Sequence, residues 1–294
     1  MCDVSEMTDR FVPIETLKAH QIVGLPPNVI FQATSNIRYY KLELFRLLIG
    51  TSSFKCIISD EIIVQRENYS KLPNTYNKNI KPKIGRYIGI DTKKMGKELT
   101  NNNNRGFYDE ILKEYYSYFF ETKKENHTTA FIHIYRILER IAICLPLVYA
   151  ACSNDYKGVY NDFKKYILDD KTGELKVIQK FVSSFIDASI LQSTVDIEIQ
   201  PLQSNFHENH FNAIARFNLH ESNTPFSQIT FKYEKVLEFI IKVRNAYFHA
   251  LTGSNNSFKA DDIVYSQDFF KMINPLCCSW MSYLIIQVMK LELK

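Results

Sequence analysis

Arg244, Asn245 and His249 fall within the six-residue run RNAYFH, near the end of a long apolar stretch. Their types suit work on a phosphate, because an imidazole exchanges protons at about pH 6.5 and a guanidinium meets phosphate oxygens in pairs. On a helical wheel over residues 230–251, Glu238, Lys242, Asn245, His249 and Thr252 line one narrow polar stripe. Glu238 and Lys242, four apart, support that helix. Arg244 breaks the pattern. It falls among Leu237, Phe248 and Leu251, where a charge is costly unless it pairs with a carboxylate or its guanidinium reaches water.

The run resembles the RX4-6H signature of the HEPN superfamily, in which a polar residue often follows the Arg. Requiring Asn at that place lowers the chance expectation from roughly 0.7 to roughly 0.05 matches per chain. The stretch AFIHIYRILERIA, residues 130–142, looks like the long aromatic and aliphatic bundle helix of such domains. The resemblance covers about the last 190 residues and leaves the first hundred unmatched. Leu251 stands where the RX4HXY variant has Tyr, which sets the chain apart from the polynucleotide-modifying toxin–antitoxin branch.

The resemblance implies cleavage of RNA without metal, by attack of a ribose 2′-hydroxyl on the adjacent phosphate, leaving 2′,3′-cyclic phosphate and 5′-hydroxyl ends. His249 would exchange the proton, Arg244 would stabilise the phosphorane charge, and Asn245 would orient His249 or hold a phosphate oxygen. Five residues separate Arg244 from His249 by about 140° of helical turn, so one copy presents the two poorly to a single phosphate. Homodimerisation, usual in such nucleases, would bring two of each together. The alternatives are a non-catalytic HEPN-like RNA-binding or protein-assembly module, and an ordinary polar stripe with Arg244 snorkelling or paired.

Other residues invite weaker readings. His133, Arg136 and Arg140 share one helical stripe beside Glu139, and either extend an RNA-binding face or make ion pairs within the bundle. Lys242 joins the same candidate RNA-binding set. His207, Glu208 and His210 cluster in a polar stretch with no helical HExxH and no evident further ligand, so solvent-exposed or structural histidines compete with a zinc site. No metal and no cofactor are expected. GxxxxGK[ST], GxGxxG and GxSxG are absent, leaving nucleotide hydrolysis, dinucleotide binding and serine hydrolysis without local support.

The elements that must position these groups follow from patterning. The 294 residues, 46% hydrophobic and 14% aromatic, suffice for a packed core and exclude disorder as the main state. Net charge is +4, but residues 66–105 carry ten basic against three acidic side chains, with Tyr69, Tyr76 and Tyr87 interleaved. Lys81, Lys83 and Arg86 lie within this segment. It reads as a polyanion-binding stretch or as a solvated Lys- and Asn-rich linker. Residues 1–35 read as an irregular lead-in, 36–49 as a helix stopped at Gly50, and 54–64 and 84–90 as β-rich pieces able to form a small strand pair.

From residue 106 the periodicity turns helical, with helices expected at 107–121, at 128–150 with an interruption near Pro146, and at 155–168 and 174–192. Further helices are expected at 230–251, 261–273 and, after Pro275, 276–291, with residues 200–228 as a polar excursion. The expected fold is mainly α: a HEPN-like bundle of four to six helices over 106–294, preceded by a small mixed region over 1–105. Six scattered cysteines without CxxC read as reduced core thiols. No secretory signal is evident at the N-terminus, and the apolar runs are shorter than the roughly 20 residues a bilayer crossing needs. The sequence therefore points to a cytoplasmic protein without membrane contact, partnered by RNA, by a second copy of itself and by an inhibitory or sensor protein. The resemblance places such an enzyme in prokaryotic defence or stress.

Overall fold

The computed structural model describes residues 9–14, 39–70, 72, 92–166, 174–248 and 257–292. Among them the chain is mainly helical, with two small antiparallel sheets. The first sheet joins β1 (Phe11–Ile14), β2 (Ser52–Cys56) and β3 (Ile62–Gln65) in that order, with Phe11 opposite Cys56 and Ser52 opposite Gln65. The β-rich piece expected at 54–64 is thus a hairpin, folding back through Asp60 at φ 59°. Its second neighbour comes from the lead-in. The other expected piece, 84–90, lies outside the described residues, as do Lys81, Lys83, Arg86 and half of the basic segment.

Before β2, helix α1 (Tyr40–Leu48) ends in Gly50, whose φ of 75° is left-handed. A Cβ there would lie 2.4 Å from the Arg66 carbonyl oxygen, so the chain needs glycine on two grounds. After α2 (Thr92–Leu99), α3 (Arg105–Lys123) and α4 (His127–Cys152) form an antiparallel helical pair that turns at Glu125, also left-handed. Phe11, Phe54, Tyr116 and Phe120 interlock and fix the first sheet onto α3. One continuous core therefore crosses the boundary expected near residue 105.

Two proline expectations are corrected. Both α4 and the last helix, α10 (Ser266–Glu292), run unbroken through Pro146 and Pro275. Proline removes one helical hydrogen bond, but buried residues stand on both sides: Ile141, Leu145 and Val148 in α4, and Phe270, Ile273, Leu276 and Cys277 in α10. Burial of the flanking turns outweighs that loss. At 27 residues, α10 is long and apolar enough to cross a membrane by length and composition, but 83% of its apolar window is buried inside the protein, as in a core helix.

Helix α5 (Tyr156–Tyr166) is followed by α6 (Glu174–Phe185) and a short α7 (Ala188–Gln192), where a single helix was expected. The break has a local cause. Asp187 accepts from the Ser189 backbone N–H at 2.8 Å and its hydroxyl at 2.6 Å, capping a new helix instead of continuing the old one.

A second sheet brackets the region read as an excursion, with one strand inside it and one on each side. β4 (Thr194–Glu198), β5 (His220–Thr224) and β6 (Gln228–Lys232) form it in the order β4-β6-β5, with α8 (Phe206–Ala215) between β4 and β5. Val195, Ile197, Ile229 and Phe231 alternate inward from β4 and β6. Helix α9 (Tyr233–Phe248) accordingly begins at Tyr233, its expected first residues belonging to β6, while its expected last residues, 249–251, lie outside the described residues. Cys56, Cys144, Cys152, Cys277 and Cys278 are free thiols; Cys56, Cys277 and Cys278 are buried in the core as expected, whereas Cys144 is half-buried and Cys152 is exposed, and burial pushes the Cys144 thiol up to about 12.

Candidate nucleic-acid site on α4 and α9

Helix α9 lies antiparallel along α4. The rings of Phe131 and Phe248 stack at 6.3 Å with only 7° between their planes. One turn along each helix, the Arg244 guanidinium carbon sits 4.6 Å from the centroid of the Tyr135 ring. Its Nη1 donates to Asn245 Oδ1 at 3.0 Å. Arg244 is half-buried, Asn245 is exposed, and among the described residues Arg244 forms no ion pair.

That sets Arg244 apart on its own helix. Lys242 Nζ lies 3.1 Å from Glu238 Oε1 and donates to the Phe217 carbonyl at 3.2 Å, while Lys235 faces the same carboxylate at 4.0 Å. Lysine charge on α9 is thereby compensated, and the arginine charge rests on an aromatic face.

His249 is the residue after α9 and lies outside the described residues. The described chain resumes close by: the Phe258 backbone N–H donates to the Ala246 carbonyl at 2.8 Å. Phe258 also packs against Phe217 and Phe269, with the Arg216 guanidinium 4.2 Å from its ring centroid. Phe258 is thus held against the last turns of α9.

The stripe on α4 is drawn into the bundle. His133 Nδ1 is 2.7 Å from Glu114 Oε2, Arg140 Nη2 is 3.3 Å from Glu114 Oε1, and Arg136 Nη1 stands 3.9 Å from the same oxygen. Arg140 also pairs with Glu110. Of the two readings of this stripe, ion pairing within the bundle is what the geometry displays. Burial acts to raise the Glu114 pKa, but the His133 contact, with Arg140 and Arg136, more than offsets it and holds the carboxyl below its ordinary value.

The histidine cluster does not converge on a metal. His207, Glu208 and His210 lie on α8, and among the described residues no group of three or more His, Cys, Asp or Glu is placed to hold an ion. His210 is 2% exposed, set edge-on against Phe269 at 5.5 Å, and burial lowers its pKa. His207 Nδ1 accepts from the Leu202 N–H at 3.4 Å.

Two residues escaped the sequence reading. Tyr135 was one aromatic among several in residues 130–142, and nothing local announces that it meets Arg244. His127, at the start of α4, is buried with no partner for Nε2 among the described residues, while its carbonyl accepts from Asn274 Nδ2 at 2.8 Å.

No family model, no curated protein and no solved structure matches this chain. The class on which sequence and structure meet is therefore a mainly α-helical protein with small antiparallel sheets.

Proposed function

We propose that the chain is a HEPN-type, metal-independent endoribonuclease that acts as a homodimer in the cytoplasm, in prokaryotic defence or stress, under the control of an inhibitory or sensor protein. The observation that supports this reading most is the Arg244 guanidinium: half-buried in a mainly apolar arc, uncompensated by any described carboxylate, and steadied by Tyr135 and Asn245. A cation kept in that state is poised to meet an anion arriving from outside.

In the proposed reaction the ribose 2′-oxygen bonds to phosphorus and the P–O5′ bond breaks, with no water consumed. His249 of one copy accepts the 2′-hydroxyl proton, and the departing O5′ takes its proton from the protonated His249 of the second copy. Arg244 holds the charge that builds on the non-bridging oxygens, and Asn245, joined to Arg244 Nη1, keeps the guanidinium directed towards them.

The test is cleavage of single-stranded RNA in EDTA by the wild type, Arg244→Ala and His249→Ala, with the product ends determined. Cyclic phosphate and 5′-hydroxyl ends from the wild type, and at least a hundredfold loss in both variants, support the reading. RNA retained but left intact by all three would transfer the site to the binding-module reading.

A further inference from the structure

We infer that Tyr135 is a positioning residue that holds the Arg244 guanidinium as a charged, unneutralised phosphate clamp, an inference that rests on the ribonuclease reading above. A half-buried guanidinium needs something to replace the water it loses. For two other arginines of this molecule that service falls to carboxylates: Arg140 pairs with Glu110 and Glu114, and Arg216 with Asp262, 2.8 Å away. Such partners stabilise the cation and cancel its field.

The Tyr135 ring, 4.6 Å from the guanidinium carbon, attracts it through the negative face of its π-system and carries no net charge. The full positive charge stays available to a phosphate. Asn245 Oδ1 engages Nη1 as a neutral acceptor, so both partners that hold Arg244 among the described residues leave its charge intact.

Register is fixed by a neighbouring contact. The nearly parallel Phe131 and Phe248 rings bind α4 to α9 one turn away, so Tyr135 cannot slide from beneath Arg244 without unstacking them. Arg136, next along α4, points instead toward Glu114. Tyr135 therefore acts through Arg244 and touches neither the scissile bond nor the proton in flight.

The experiment is a double-mutant cycle on Tyr135 and Arg244, using a fluorescent single-stranded RNA for cleavage and its 2′-O-methyl counterpart, which the proposed route cannot cut, for binding. Thermal melting checks the fold of every variant. Tyr135→Phe and Tyr135→Trp keep a ring and should stay within about threefold of the wild type, while Tyr135→Leu should lose roughly tenfold in kcat/KM, mostly in kcat. In the Arg244→Ala background, Tyr135→Leu should cost nothing more in either assay.

If Tyr135→Leu melts early, Tyr135→Met takes its place under the same expectations. An active wild type whose Tyr135→Leu or Tyr135→Met form cuts equally well, or whose losses simply add to that of Arg244→Ala, overturns the positioning role and leaves the ribonuclease standing. A wild type that cuts no RNA, with binding indifferent to Arg244→Ala, overturns both.

Discussion

The Nδ1 atom of His133 lies 2.7 Å from Oε2 of Glu114, a carboxylate that is 8% exposed and also faces Arg140 and Arg136. One side chain of α3 thus neutralises three cationic or titratable groups of α4. Glu114→Gln removes that charge and should cost about 1.5–3 kcal/mol, read from urea unfolding at pH 7. Because the folded-state pKa of Glu114 is depressed, its contribution is present above the ordinary value of 4.5 and is lost as pH falls through the folded value. The wild type and Glu114→Gln should therefore converge in stability in acid. A gap that persists undiminished at about pH 3 would contradict this assignment.

Glu292, at the end of α10, closes a second buried network. Its carboxylate takes the Lys41 ammonium at 2.7 Å, the Tyr108 hydroxyl at 2.7 Å and the Asn104 amide at 2.9 Å. Lys41 is only 4% exposed. Glu292→Ala leaves that ammonium without its charge partner and should cost about 3 kcal/mol, whereas Lys41→Met with Glu292→Leu should recover much of the loss. Equal destabilisation in the single and double variants would show that the pair's charge is not what matters.

Two buried histidines, His127 and His210, should make the fold acid-sensitive. Burial lowers the pKa of His127 and of His210 from an ordinary 6.5. Lys271 works in the same direction on His127, against Glu125 and Asp268, and His207 does so on His210, against Asp268. A depressed histidine pKa means the unfolded chain binds protons first. Stability should fall as pH drops below 6.5 and level off only beneath the folded values. His210→Leu should flatten part of that slope between about pH 7 and pH 5, a change visible in thermal melts, and an unaltered slope would remove His210 from the account.

Gly50 offers a prediction about backbone alone. Adding a methyl group at φ 75°, 2.4 Å from the Arg66 carbonyl oxygen, should destabilise the protein by about 2 kcal/mol or more. Circular dichroism of Gly50→Ala on heating measures it. A variant that melts with the wild type would mean the turn after α1 can reshape freely.

Residues with a 3.6-residue apolar repeat announced their helices plainly, as α3 and α9 illustrate, because one-sided burial writes itself into spacing. The second sheet did not. Its strands are five residues long and rich in Thr, Gln and Glu, so the inward alternation of Val195 with Ile197 was lost in polar surroundings. Pro146 and Pro275 misled for a different reason: the rule that proline ends helices is local, and the packing that overrides it comes from distant chain. At the site, the neighbouring Arg244 and Asn245 were legible on one helix, while His249 lies outside the described residues. Tyr135 and Glu114 were not, since their roles arise only where α4 lies against α9 and α3, and no spacing within one segment encodes that meeting.

Helix α10 is the last described element to leave the ribosome, yet Trp280, Met281 and Cys277 on it are fully enclosed by elements made long before. Vectorial synthesis must therefore leave α4 and its neighbours with an unfilled hydrophobic groove until residues 266–292 emerge. The wall of α4 that carries the Tyr135 ring, and with it the seat of the Arg244 guanidinium, therefore gains its full backing only once α10 has docked.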